Sequence, residues 1–142
     1  MRKKPIAVVT GGAGFIGSHM VDLLVDHGFA VRVIDNLVGG REANLARHRS
    51  NAEVTFERCD IRQLEPDSPL FEGSRYVFHF AGIGDIVPSI EHPTEYMATN
   101  VLGTVRVLEC ARSARVEKLW TASSIECVGR KPSTRNILSE LM

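Results

Sequence analysis

The fold is decided by Ile6-Ala-Val-Val-Thr10-Gly11-Gly12-Ala13-Gly14-Phe15-Ile16-Gly17, by the amphipathic run that follows to His27, and by Phe29-Ala-Val-Arg-Val-Ile34-Asp35 after Gly28. A short apolar strand, a glycine cluster, a helical pattern, a helix-ending glycine and a second apolar strand tipped by a carboxylate make a β-α-β unit. The turn after Thr10 has to reverse within a few residues, and Gly11 and Gly12 tolerate the backbone angles that this requires. Gly14 leaves the backbone bare for a close approach, and Gly17 lets the helix lie against the strands.

The first turn of such a helix presents unpaired N–H groups and the positive end of its dipole, which suit a pyrophosphate. Asp35 lies eighteen residues beyond Gly17, close to where a ribose-binding acid is expected. It would accept hydrogen bonds from the ribose hydroxyls and repel a 2′-phosphate, which favours NAD over NADP. A Gly-x-Gly-x-x-Gly alone is a weak signal. Here it follows a strand, opens a helix and precedes an acid-tipped strand, the context that gives it meaning.

The chain has 142 residues, enough for one domain with a real core, and a formal net charge of zero. That charge offers no electrostatic case for nucleic acid or an anionic membrane. No apolar run is long enough to span a bilayer, and the basic start Arg2-Lys3-Lys4 leads into Pro5 and a strand, not an apolar signal region. A cytoplasmic location is the default expectation. Cys59, Cys110 and Cys127 are odd in number and widely spaced, which argues for inert thiols over a disulfide framework. The histidines do not fall at metal-ligand spacings with them, so no metal is expected.

The helical run that follows the glycine turn carries Ile16, Met20, Leu23, Leu24 and His27 on one side, and the spacing predicts that this is its apolar face. Glu42 to His48 reads as a short surface helix, and Glu53 to Glu57 as a strand leading to Asp60-Ile61. An Asp there can receive an adenine amino group, with Ile61 packing on the ring, or can cap the next turn; position alone leaves both open. Tyr76-Val-Phe-His79-Phe80-Ala81-Gly82 is a fourth strand entering a small-residue turn, and His79 reads as a satisfied core histidine. Ile83 to His92 reads as a loop, Thr94 to Arg115 as one long helix, and Val116 to Thr121 as a fifth strand. Strands alternating with helix-length connections predict an α/β fold, a Rossmann-type doubly wound parallel sheet ordered 3-2-1-4-5, in one domain spanning 1–142.

Thr10-Gly-Gly-Ala-Gly-Phe-Ile-Gly17-Ser-His19, Asp35-Asn36-Leu37, Asp60-Ile61, His79-Phe80-Ala81-Gly82, Tyr96-x-x-x-Asn100 and Ser123-Ser124 together resemble the extended short-chain dehydrogenase/reductase family. The resemblance is to its NAD-dependent sugar-nucleotide epimerases and dehydratases, the UDP-glucose 4-epimerase type above all. It implies that Gly11, Gly14, Phe15, Ile16 and Gly17 meet the pyrophosphate, Asp35 and Asn36 the adenosine ribose, and Asp60 and Ile61 the adenine. It further implies Phe80, Ala81 and Gly82 along the cofactor and Asn100 in the surrounding hydrogen-bond network. Ser124 is the implied catalytic hydroxyl, bonded to the sugar oxygen during hydride transfer at hexose C4. A nucleotide-sugar substrate and a homodimer through the Thr94–Arg115 helix follow from the same resemblance.

The sequence departs from that pattern in two places. Cys127-Val128-Gly129 stands where the family has Val-Tyr-Gly, and Tyr76 and Tyr96 both lack the lysine of the family's Tyr-x-x-x-Lys acid–base pair. The pair and the C-terminal substrate domain fall beyond this cofactor half, so negligible turnover is expected from these residues alone. Two other functions compete with the epimerase reading. One is a sugar-nucleotide 4,6-dehydratase fragment, against which Ile125 in Ser124-Ile125-Glu126 replaces an expected acid; the other is a non-catalytic NAD-binding module.

Overall fold

The computed structural model describes residues 3–122; Ser124 and Cys127 lie outside them. Five parallel strands form one sheet in the order β3-β2-β1-β4-β5. They are β1 (Ile6–Thr10), β2 (Ala30–Asp35), β3 (Val54–Arg58), β4 (Ser74–His79) and β5 (Lys118–Thr121). Register aligns Thr10 with Ile34 on one side and with His79 on the other. The strand ends carrying the sequence motifs therefore reach one rim of the sheet, as the expected topology requires.

Alternation along each strand builds a core on both faces. Ala7, Val9, Val31, Val33, Tyr76 and Phe78 pack with Val21 and Leu24 of helix α1 (Phe15–Asp26). Val8, Ile34, Val77, Ile61 and Phe71 pack on the other face with Val107, Cys110 and Ala111. The buried line of α1 is Gly17, Ser18, Val21 and Leu24, not the expected stripe beginning at Ile16, which is 60% exposed. The helix sits on the sheet through its smallest residues, and that turns the larger Ile16 and Phe15 outward.

Three other expectations need correction. The 83–92 stretch holds a helix, α2 (Ile86–Glu91). Pro88 is tolerated because it lies in the first turn, where no intrahelical N–H bond is lost. The expected helix from Thr94 is real but composite: α3 (Pro93–Met97), a π-helical turn over Ala98–Gly103, then α4 (Thr104–Ser113). It stops at Ser113, with Arg115 in the left-handed region at φ 56°. Finally, Gly12 has no left-handed φ; its requirement is space, since a Cβ there would lie 2.6 Å from Val33 Cγ1. Gly28 does end α1 at φ 82°, as expected.

Candidate functional site

A cleft of about 180 Å³ opens at the carboxyl rim between the ends of β1, β2, β3 and β4. Its wall includes Gly11 and Gly14 from the first turn and Asp35 and Asn36 from the end of β2. Ile61 lies beyond β3, and Phe80, Ala81 and Gly82 follow β4. Open α/β sheets bind their ligands at this position.

Backbone contact, not side chains, shapes the first turn. Gly11 adopts φ 69°, and a Cβ on it would lie 2.6 Å from the Ala81 nitrogen. A Cβ on Gly17 would strike the Gly11 carbonyl oxygen and come within 2.7 Å of Gly12 Cα. Ser18 N–H is the first amide of α1 to find a helical acceptor, the Gly14 carbonyl at 3.0 Å. The Phe15, Ile16 and Gly17 amides precede it and have no intrahelical acceptor. Phe15 and Ile16 do not line the cleft with their side chains, which are exposed; what they can offer an anion is their N–H groups. His19 is exposed and stacks edge-on against Phe15 at 4.9 Å.

Asp35 is buried and lines the cleft. Its Oδ2 accepts the Ala13 amide at 3.0 Å and its Oδ1 the Leu37 amide at 2.8 Å. A carboxylate has about four acceptor positions, so these two amides leave two of them unfilled. Gly40 completes this wall, since a Cβ there would lie 2.9 Å from Asp35 Oδ2.

Asp60 is arranged differently. It caps the turn after β3, accepting the Arg62 amide at 2.9 Å. Arg62 adds Nε at 3.0 Å and Nη2 at 2.7 Å, and Asn36 Nδ2 donates from 3.2 Å. The Arg62 bonds hold its carboxyl near about 2, well below the usual carboxylate range. Of the two readings left open for Asp60, capping is what the structure shows. Cys59 and Ile61 line the cleft and Asp60 does not, as alternation of side chains out of a strand would place them.

Behind the Phe80–Gly82 turn a polar chain runs from the buried Thr10 and His79 out to the surface. Thr10 Oγ1 lies 2.6 Å from His79 Nδ1, and His79 Nε2 lies 2.8 Å from Thr104 Oγ1, which donates to the Asn100 carbonyl at 2.7 Å. Thr104 spends its proton on that carbonyl, so His79 donates from Nε2 and accepts at Nδ1 from Thr10. Burial lowers its pKa to about 4. His79 is thus the satisfied core histidine expected. Asn100 stands outside the cleft wall but holds it: Oδ1 accepts the Ile83 amide at 2.9 Å, and Nδ2 donates to the Ile83 carbonyl at 2.8 Å.

Val38 and Ile83 line the cleft from the loops after β2 and β4, and Thr99, Ile34 and Cys59 line it with no motif to mark them in the sequence. Thr99 lies within the π-turn, which has no period-based signal. Among the described residues no cluster of His, Cys, Asp or Glu could hold a metal ion, and no helix is long and apolar enough to cross a membrane.

Comparison with known proteins agrees with this geometry. Residues 7–140 match the NAD dependent epimerase/dehydratase family. A UDP-glucose 4-epimerase of Yersinia pestis is 36% identical over 129 residues, covering 88% of this chain and 38% of that protein. The structure of a UDP-N-acetylglucosamine 4-epimerase from Methanobrevibacter ruminantium, in complex with UDP-N-acetylmuramic acid, superposes with a TM-score of 0.80 at 29% identity. It covers 93% of this chain and 44% of that one. DesIV, a dTDP-glucose 4,6-dehydratase from Streptomyces venezuelae with NAD and TYD bound, superposes at 0.74 and 35% identity, covering 80% of this chain and 38% of that one. The chain spans less than half the length of each. With the parallel sheet, the glycine turn and the acid-tipped second strand in place, the chain belongs to the NAD-dependent epimerase/dehydratase family.

Proposed function

We propose that this chain is the NAD-binding portion of a sugar-nucleotide epimerase. The observation that carries the reading is Asp35: a buried carboxylate on the cleft wall with two acceptor positions filled by the Ala13 and Leu37 amides and two left for a pair of ribose hydroxyls. The same charge opposes a 2′-phosphate, hence NAD and not NADP.

The residues present fit the cofactor. Beyond a 3.2 Å approach to the Gly11 carbonyl, a Cβ on Gly14 would stand in open space, the room a pyrophosphate needs beside the Phe15, Ile16 and Gly17 amides. Asp35 and Asn36 take the ribose, and Ile61 packs on the adenine with Asp60 at its amino edge. Phe80, Ala81 and Gly82 run beside the remainder, held by Asn100 through Ile83. NAD held by these residues would supply a reversible hydride acceptor for C4 of a nucleotide-linked hexose.

Proton transfer at the sugar hydroxyl needs a base. Ser124 is the one residue of this chain assigned to the sugar oxygen, and a neutral hydroxyl does not supply it. Tyr76 is buried in the core. Desolvation, Asp85 and Glu95 raise the pKa of Tyr96, the reverse of what an active tyrosinate requires. We therefore assign cofactor binding, and not turnover, to these residues alone. The exposed ridge Met97, Val101, Val105 and Leu108 on the composite helix supports a homodimer through that face.

Calorimetric titration with NAD and NADP tests the reading: NAD should bind and NADP should bind far more weakly. Heat from neither would overturn it. A gene whose downstream sequence lacks Tyr-x-x-x-Lys would overturn the epimerase assignment and leave an NAD-binding module. Dehydration of a nucleotide hexose by the complete enzyme would favour the dehydratase alternative, for which the likeness to DesIV speaks.

A further inference from the structure

Asp35 and Asp60 end neighbouring parallel strands, yet their acceptor positions are filled differently. Asp60 Oδ1 accepts the amide and Nε of Arg62, and Oδ2 accepts Arg62 Nη2 and Asn36 Nδ2. All of its roughly four acceptor positions are taken. Three are held by one residue through a fork of charge-assisted bonds and a backbone amide, at 2.7 to 3.0 Å. The fourth is held by a neutral amide at 3.2 Å, the longest of the set. Asn36 lines the cleft and Asp60 does not. The acceptor position that Asn36 covers is therefore the one on the cleft side.

We propose that the Asn36 amide is a placeholder on Asp60, displaced when the exocyclic amine of an adenine arrives. This rests on the cofactor reading above and deepens it. The exchange trades one neutral N–H donor for another, and Arg62 keeps its three bonds throughout. Once released, the Asn36 side chain is free to turn to the ribose, pivoting on the bond its Oδ1 makes to the Val38 amide at 3.1 Å. Because Asp60 is never left with a bare lone pair, the exchange makes the site tolerant of purines without the amine. When the amine is missing, Asn36 keeps its place and meets the incoming ring with a donor. Asn36, not Asp60, then sets how sharply the site reads the purine 6-substituent.

The test is titration calorimetry of the 142-residue chain with NAD and with nicotinamide hypoxanthine dinucleotide, which carries a carbonyl oxygen in place of the amine. The native chain should prefer NAD by no more than about threefold, because one donor replaces another. In Asn36→Ala the preference should widen by about tenfold, the order of a hydrogen bond to a charged acceptor that is no longer competed for. Asn36→Ser retains an oxygen for the Val38 amide, so the loop keeps its turn, but it lacks the amide that reaches Asp60. It should show the same widening. An identical preference in the native chain and both variants overturns the exchange while leaving the cofactor reading standing. Failure of the native chain to bind either dinucleotide overturns both.

Discussion

His79 Nε2 stands 2.8 Å from Thr104 Oγ1, and this contact ties the end of β4 to the composite helix just past its π-turn. The imidazole is neutral there, its pKa lowered to about 4 by burial. The unfolded chain, with an ordinary value near 6.5, binds the proton first, so stability is complete above pH 6.5 and falls as pH drops from 6.5 to 4. The loss across that window is roughly 3 kcal/mol at most. Thermal unfolding followed from pH 7.5 to 4.5 should show this slope, and His79→Gln should flatten it. An unchanged slope in the variant would place the acid sensitivity elsewhere.

Asp35→Ala should weaken NAD by about tenfold or more and narrow the gap to NADP. It should also destabilise the free protein by about 2 kcal/mol, because the Ala13 and Leu37 amides lose their acceptor. Binding isotherms and urea unfolding separate the two effects. Unaltered NAD affinity would remove Asp35 from the site.

Gly17→Ala places a methyl group against the backbone of Gly11 and Gly12. Overpacking of this kind costs about 1–3 kcal/mol, and relieving it lifts α1 from the turn. Urea unfolding should show the lowered midpoint, and NAD affinity should fall with it. Gly39→Ala, where no atom lies within 4 Å of the added carbon, is the matched control and should leave stability close to that of the native chain.

Cys59 offers a chemical footprint of the site. It is half-buried and lines the cleft, whereas Cys110 is fully buried. Burial, followed by Glu57 and Asp60, raises the Cys59 pKa, and burial pushes Cys110 up to about 11. Alkylation near neutral pH should therefore be slow at both and faster at Cys59, since only the thiolate reacts. Saturating NAD should protect Cys59 specifically, as read by peptide mass spectrometry. Equal labelling of Cys59 with and without NAD would count against the cleft as the binding site.

The sheet order was legible because apolar strands alternating with helical periods admit few arrangements once crossovers are right-handed. The glycine turn and Asp35 were legible because each answers a local demand that few residue types can meet. The face of α1 was not: hydrophobicity picks Ile16, whereas close packing picks Gly17 and Ser18, and periodicity weighs size in the wrong direction. The π-turn was hidden because one extra residue per turn leaves no mark on a 3.6-residue pattern. Asp60 fell between these cases. Its position at the strand end was readable, but the Arg62 fork that fills it depends on two side chains meeting in space.

The near-contact between Gly11 and Ala81 has a consequence for anyone who would alter this protein. Two turns separated by seventy residues of chain are fused, backbone to backbone, into a single casting. Neither can be lengthened or swapped for a homologue's version without its counterpart. A Cβ on Gly39, across the mouth, would meet nothing within 4 Å, so substitutions meant to change ligand choice belong at that position.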